Sequence, residues 1–95
     1  MRSKNSKSIT RDEHEYLGWV KQQACIVCDE PGPSDAHHIE QGNHFTTLPL
    51  CESCHQGPLL GWHGQKRAWI TRKMTELTAL NKLIRILCSY ANLSM

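Results

Sequence analysis

Large apolar side chains are scarce in this chain. One Phe, two Tyr and three Trp are the only aromatics among 95 residues, enough for one small domain. Chains of this length bury only about 60–65% of the surface they expose when unfolded, so a metal or covalent staple is expected to supplement the core. No apolar run approaches the roughly 18 residues that cross a bilayer, and the charged N-terminus lacks the apolar stretch of a secretion signal. These absences predict a soluble, cytoplasmic protein in a reducing compartment, where thiolates stay available to metals. No internal repeat is visible. Acids are nearly missing beyond Glu52, where Glu76 stands alone.

What is present begins with cysteine. Cys25 and Cys28 form one Cys-x2-Cys pair and Cys51 and Cys54 another, with 22 residues between them. That arrangement approaches the spacing of a tetrahedral zinc site. Four ligating thiolates would staple the domain; buried free thiols or disulfides are the alternative. Cys88, alone in a helical pattern, reads as a small buried hydrophobe.

Charge is distributed unevenly behind a net +2. Residues 12 to 52 hold eight acids and one base, Lys21. Residues 66 to 95 hold six bases (Lys66, Arg67, Arg72, Lys73, Lys82, Arg85) against Glu76, and the first seven residues add Arg2, Lys4 and Lys7. Basic segments thus flank an acidic middle. Such charges serve solvated helices as well as phosphate contacts.

Along the chain, residues 1–9 are polar, Ser- and Lys-rich and aperiodic, as a disordered basic tail would be. Thr10-Arg11-Asp12-Glu13 spells a capping box, and Tyr16, Leu17 and Val20 follow at helical spacing, so a helix is predicted from Arg11 to Gln22. Pro31 to Ser34 is a turn by composition. Strands are predicted over 36–40 and 46–50, with Gly42-Asn43 marking the loop between them and Pro49 restricting the second to an edge or an end. A helix is then predicted to start near His63 or Gly64 and to run to about Ala91, interrupted near Thr75. Within it Leu77, Leu80, Ile84, Leu87 and Ala91 make one apolar row, and Ala79, Leu83, Ile86, Tyr90 and Leu93 a second. One row must cover the core; the other can meet the N-terminal helix or another copy of the chain, which makes a homodimer possible.

Five histidines, His37, His38, His44, His55 and His63, lie within 27 residues. Histidine ligates transition metals and, with a free pKa of about 6.5, also transfers protons near neutrality. A cluster of five can hold an ion and still spare a base.

Cys-x2-Cys, Asp35-Ala36-His37-His38-Ile39, Leu50-Cys51-Glu52-Ser53-Cys54-His55 and the later His63-Gly64 together resemble an HNH endonuclease of the ββα-metal superfamily. The likeness spans residues 24–66. The Cys-His-Gln-Gly-Pro to Trp-His-Gly-Gln stretch is also similar to phage recombination-enhancement nucleases, which implies a phage or prophage gene acting beside a host recombinase in a bacterial cell. The resemblance implies a small α+β fold: a zinc-stapled ββα-metal core (24–66) with an N-terminal helix and a long C-terminal helical segment (64–92), within one domain over 10–95.

For the site, the resemblance implies that Cys25, Cys28, Cys51 and Cys54 hold structural Zn2+. His37 and His55 would ligate one catalytic divalent cation (Mg2+, Mn2+ or Ni2+), and His38 would act as general base. His63 would be a third ligand or a catalytic phosphate contact, its helix start supplying free N–H groups. Where relatives carry an Asn that orients the base, this chain has Thr46, with Asn43 and His44 just upstream, so the orienter is one of these three. DNA would be held by Lys66, Arg67, Arg72 and Lys73. His55 and His63 are eight apart, not four, with Gly57, Pro58 and Gly61 between them; these breakers allow the segment to fold back. A regular strand would aim only one of His37 and His38 at the ion, so both serve only across a bulge or twist.

Two rival readings stand beside the nuclease. A zinc-stapled nucleic-acid or adaptor module without catalysis predicts metal at the cysteines alone. A mixed zinc site predicts that His37 and His55 replace a cysteine. Trp19, Trp62 and Trp69 can stack on bases, though tryptophan more often packs inside.

Overall fold

A computed structural model describes residues 9–92. All of the basic tail except Ile9, and Leu93 of the second apolar row, lie outside the described residues. Helix α1 runs Arg11–Gln22, with the predicted boundaries. Its start is set by Thr10, whose hydroxyl accepts the Glu13 N–H at 3.1 Å while the Glu13 carboxylate accepts the Thr10 N–H at 2.9 Å. This reciprocal cap satisfies two donors that a helix end otherwise leaves unpaired. Val20, fully buried, is the apex of its inner face.

Strands β1 (Asp35–His38) and β2 (Thr47–Leu50) form a two-stranded antiparallel sheet. Its register pairs Asp35 with Leu50, Ala36 with Pro49, His37 with Leu48 and His38 with Thr47. Every residue of β2 is buried, because α1 and the last helix both pack against it. Pro49 is tolerated where both strands are edges; its carbonyl accepts the Ile26 N–H at 2.9 Å and so docks the first cysteine loop onto β2. β1 stops at His38, two residues short of the predicted end, as the chain turns at Glu40, whose carbonyl accepts the Asn43 N–H at 3.1 Å.

After β2 the structure departs from the sequence-based expectation in two ways. A short helix α2, Glu52–Gln56, follows Cys51 directly; nothing in five residues of mixed polarity announced it. The C-terminal helical segment, expected from His63 or Gly64, starts only at Arg67, and its expected break near Thr75 separates two helices, α3 (Arg67–Thr71) and α4 (Glu76–Tyr90). Residues 57–66 are turns, and Lys66 and Lys73 adopt left-handed backbone angles, φ 59° and 56°, that bracket α3. Thr75 caps α4, accepting the Thr78 N–H at 3.2 Å, so the interruption expected near Thr75 is a full helix boundary.

Helix α4 turns Ala79 and Leu83 fully into the core, beside Leu48, Leu50 and Trp69. These two belong to the second predicted row. The first row is split, with Leu80 and Leu87 half-buried and Leu77 and Ile84 exposed (73% and 40%). Tyr90 at the far end tilts against Trp19 of α1, ring centroids 5.6 Å apart. Among the described residues, no helix is long and apolar enough to cross a membrane.

Candidate metal centres

Cys25 and Cys28 sit on a tight loop closed by the Cys25 N–H donating to Glu30 O (2.8 Å) and the Asp29 N–H to Cys25 O (2.9 Å). Cys51 follows β2 as the N-cap of α2, and Cys54 is buried on that short helix. The four sulfurs lie within 4.8 Å of one another. Cys28 and Cys51 Sγ are 3.7 Å apart, far beyond a bonded pair, and all five cysteines are free. A tetrahedron of sulfurs about 2.3 Å from zinc has edges of about 3.8 Å, so the four cysteines fit a zinc ion. Disulfides are thereby excluded.

Electrostatics agree with the spacing. Burial pushes the Cys25 thiol up, but N–H groups of Cys28, Cys51 and Val27 aimed at its sulfur outweigh this and leave it below the ordinary thiol range. Burial and the neighbouring sulfurs push Cys28 and Cys54 up instead. Crowding of the sulfurs opposes the thiolates of Cys28 and Cys54 in the absence of a cation, and a dication would remove that conflict. Basic side chains reach the carbonyls on the loop's outer side. Arg72 Nη1 donates to Val27 O at 2.9 Å and Lys82 Nζ to Ile26 O at 3.0 Å, with Asp29 3.6 Å from Lys82. Trp69, 1% exposed, donates its indole N–H to Cys54 O at 2.9 Å and ties α3 to the second pair.

A second cluster lies apart from the first. His37, His55 and His63 bring one nitrogen each within 4.8 Å of one another. Their ring centroids form a nearly equilateral triangle of 5.0, 5.0 and 5.3 Å sides. His37 comes from β1 and is buried; His55 from the last turn of α2; His63 from the 57–66 turns, exposed.

The turns achieve what the eight-residue spacing left open. The Trp62 N–H donates to Cys54 O at 2.9 Å and the His63 N–H to His55 O at 3.2 Å, folding the chain back over α2. So close a return leaves no room for side chains. A Cβ on Gly61 would meet Gly57 N at 2.6 Å, and one on Gly64 would meet the carbonyl oxygens of Gly57 and Pro58 at 2.5 Å. His63 is not at a helix start: α3 begins four residues later, and the His63 N–H is already bonded. The helix-dipole seat for phosphate expected there is absent.

Each of the two inner histidines has a carboxylate on one nitrogen. His37 Nε2 lies 2.6 Å from Glu76 Oε2, and His55 Nδ1 lies 3.2 Å from Asp35 Oδ2. In the tautomers that donate to these carboxylates, the other nitrogen keeps its lone pair for a metal. Burial, opposed by the Glu76 bond and aided by His55, holds His37 below the ordinary histidine pKa, in the neutral form that ligates. The donor set is all imidazole, which suits later divalent metals.

The regular register of β1 contains no bulge, and it sends the adjacent histidines to different partners. His38 Nε2 meets His44 Nδ1 at 3.0 Å, their rings edge to face. Burial and the nearby His44 and His37 lower its pKa. Of the three residues considered as orienters, only His44 reaches His38; Asn43 bonds Glu40, and the Thr46 hydroxyl donates to Asn43 O.

The basic residues divide. Lys66 lies 4.0 Å from the Trp62 ring centroid, and Arg67 bonds Gln65, both on exposed chain beside His63. Lys73 is exposed, whereas Arg72 is committed to Val27 O. Trp62 packs edge to face on Trp69 at 4.6 Å; Trp69 is buried in the core and Trp62 half-buried against it. A mixed cysteine–histidine site is not what forms, since the two ligand types gather separately.

Sequence reading missed Glu76, and its signal was available: the one acid beyond Glu52, at the first position of a capped helix. Comparison with protein-family models, with curated proteins and with solved structures finds no match to this chain.

Proposed function

We propose that the chain is a metal-dependent endonuclease of the HNH type that hydrolyses DNA phosphodiester bonds, its zinc-holding cysteines serving structure alone. The observation that carries this reading is the triangle of His37, His55 and His63, assembled by the first of two antiparallel strands, the short helix that follows the second, and the turns after that helix. That order of elements is the one the sequence resemblance implies for a ββα-metal core. His37, His55 and His63 would hold a divalent ion, which when bound would supply charge neutralisation for a phosphate and for the oxygen that leaves it. The chain's own part is to hold that phosphate and to move a proton. His38, kept neutral by its surroundings, accepts the proton of an attacking water, and His44 fixes the orientation of its ring. Lys66, Arg67 and Lys73 contact the DNA backbone without reading sequence. A recombination-related role in a phage or prophage, beside a host recombinase, extends the same reading.

Plasmid nicking with Mg2+, Mn2+, Ni2+ and Zn2+ in turn tests it. All-imidazole ligation predicts that Mn2+ or Ni2+ supports cutting at least as well as Mg2+. Failure with every ion, in protein that retains its cysteine-bound zinc, would leave the non-catalytic adaptor as the function.

A further inference from the structure

Glu76 belongs to none of the motifs that suggest a nuclease, yet it makes the shortest polar contact of the histidine cluster. Its carboxylate Oε2 is 2.6 Å from Nε2 of His37, a ring only 4% exposed, and Glu76 itself is 21% exposed. The comparable partner of His55, Asp35, is 54% exposed and 3.2 Å away. The shorter, drier pair interacts more strongly.

Glu76 is also rigidly held. It opens α4 beneath the Thr75–Thr78 cap, and α4 is anchored by Ala79 and Leu83 in the core and by Lys82 on the first cysteine loop. Among the described residues, the mutually close ligand atoms are the three imidazole nitrogens alone, so Glu76 stands one shell out.

We infer that Glu76 is the positioning residue of the divalent-ion site. Accepting the Nε2–H of His37, it fixes the tautomer whose Nδ1 lone pair is free to ligate, holds the ring's angle, and strengthens the nitrogen as a donor. With Asp35 it also places two carboxylates behind the three imidazoles, which would offset the charge of a dication. This inference rests on the proposed histidine site.

Protein with zinc at the cysteines is titrated with Co2+ alone, followed by calorimetry and by the visible spectrum of the bound ion. Wild type should take up one further Co2+. Glu76→Ala should bind it about 10–100-fold more weakly, with zinc content retained, and Glu76→Gln should fall between, keeping an acceptor but not the charge. Equal Co2+ affinity in wild type and a folded Glu76→Ala overturns the inference. Thr78→Ala controls for helix position, because it loosens the α4 cap without touching His37. If it weakens Co2+ as much as Glu76→Ala does, the carboxylate is not the cause and the inference fails. Wild type that binds no Co2+ beyond its zinc overturns the histidine site itself, a failure separate from that of Glu76.

Discussion

Gly64→Ala should open the turn that brings His63 to the histidine cluster. The added Cβ would lie 2.5 Å from the carbonyl oxygens of Gly57 and Pro58 and 2.8 Å from the Pro58 carbonyl carbon. Carbon–oxygen contacts settle near 3.3 Å or beyond, so the backbone must part by roughly 0.8 Å. All three obstructing atoms are main chain, and no rotamer relieves them. The Gly64 φ is not left-handed, so the cost is steric. Hydrogen bonds from Gln65 N to Pro58 O (3.2 Å) and from Gly64 N to Gly61 O (3.0 Å) are the first at risk. Losing both costs about 1–3 kcal/mol at roughly 0.5–1.5 kcal/mol each, and each kcal/mol lowers Tm by roughly 4–8 °C in a domain of this size. His63 is the adjacent residue, so affinity for the exchangeable ion should fall at least tenfold, within the range of about 10–100-fold that even outer-shell losses reach. Thermal unfolding by circular dichroism and calorimetric titration with Ni2+ read the two effects. Gly18→Ala is the control: nothing lies within 4 Å of its Cβ in mid-α1, and it should be neutral or stabilise by up to about 1 kcal/mol. A Gly64→Ala protein with wild-type melting and Ni2+ affinity would refute the steric argument and the place of His63 in the site.

Cys51→Ser should unfold the domain, since structural zinc contributes about 10–16 kcal/mol in small zinc domains against a typical net stability of about 5–15 kcal/mol; one zinc by elemental analysis in a folded Cys51→Ser protein would defeat the four-cysteine assignment. His38→Ala should keep zinc content and DNA affinity while cutting slows about a hundredfold or more, whereas His37→Ala should weaken ion binding so that raising the ion concentration partly restores cutting. Because the regular strand sends the two rings to different partners, the opposite result, wild-type cutting by His38→Ala and no rescue of His37→Ala, would move the base to His37. The exposed Leu77 and Ile84 suit a seam between two copies, so sedimentation at high micromolar concentration should show a dimer that Ile84→Lys disperses; a strictly monomeric wild type disposes of that seam.

Which parts of this structure were legible in the sequence follows from how local their causes are. The start of helix α1 was legible because a capping box acts within one turn. The cysteine grouping was readable from short-range spacing, which keeps the first pair on one loop and the second at the start of one helix. The break at Thr75 was visible as a change of apolar phase, and the structure makes it a capped boundary. Helix α2 was not legible: five residues carry too little periodicity, and it exists because the Cys54 carbonyl is held by Trp69 and the Trp62 N–H. The rows of α4 were seen, but which one faces inward depends on where α1 and β2 stand. Neither is a property of α4.

The histidines show the same division more sharply. That five of them cluster in sequence was evident, yet their partition into a set of three and a pair is made by strand alternation and by the return of residues 57–66 over α2. The contacts that decide ligand geometry are long-range: Glu76 lies 39 residues from His37, and Asp35 lies 20 from His55. The basic segment was legible only as charge. Two of its members, Arg72 and Lys82, reach across 45 and 56 residues to the carbonyls of Val27 and Ile26, so that Arg72, an expected DNA contact, instead supports the cysteine loop. One helix therefore serves both candidate centres, through Lys82 at the cysteines and Glu76 at the histidines. A perturbation that shifts α4 should then reach the two together, although no motif links them in the sequence.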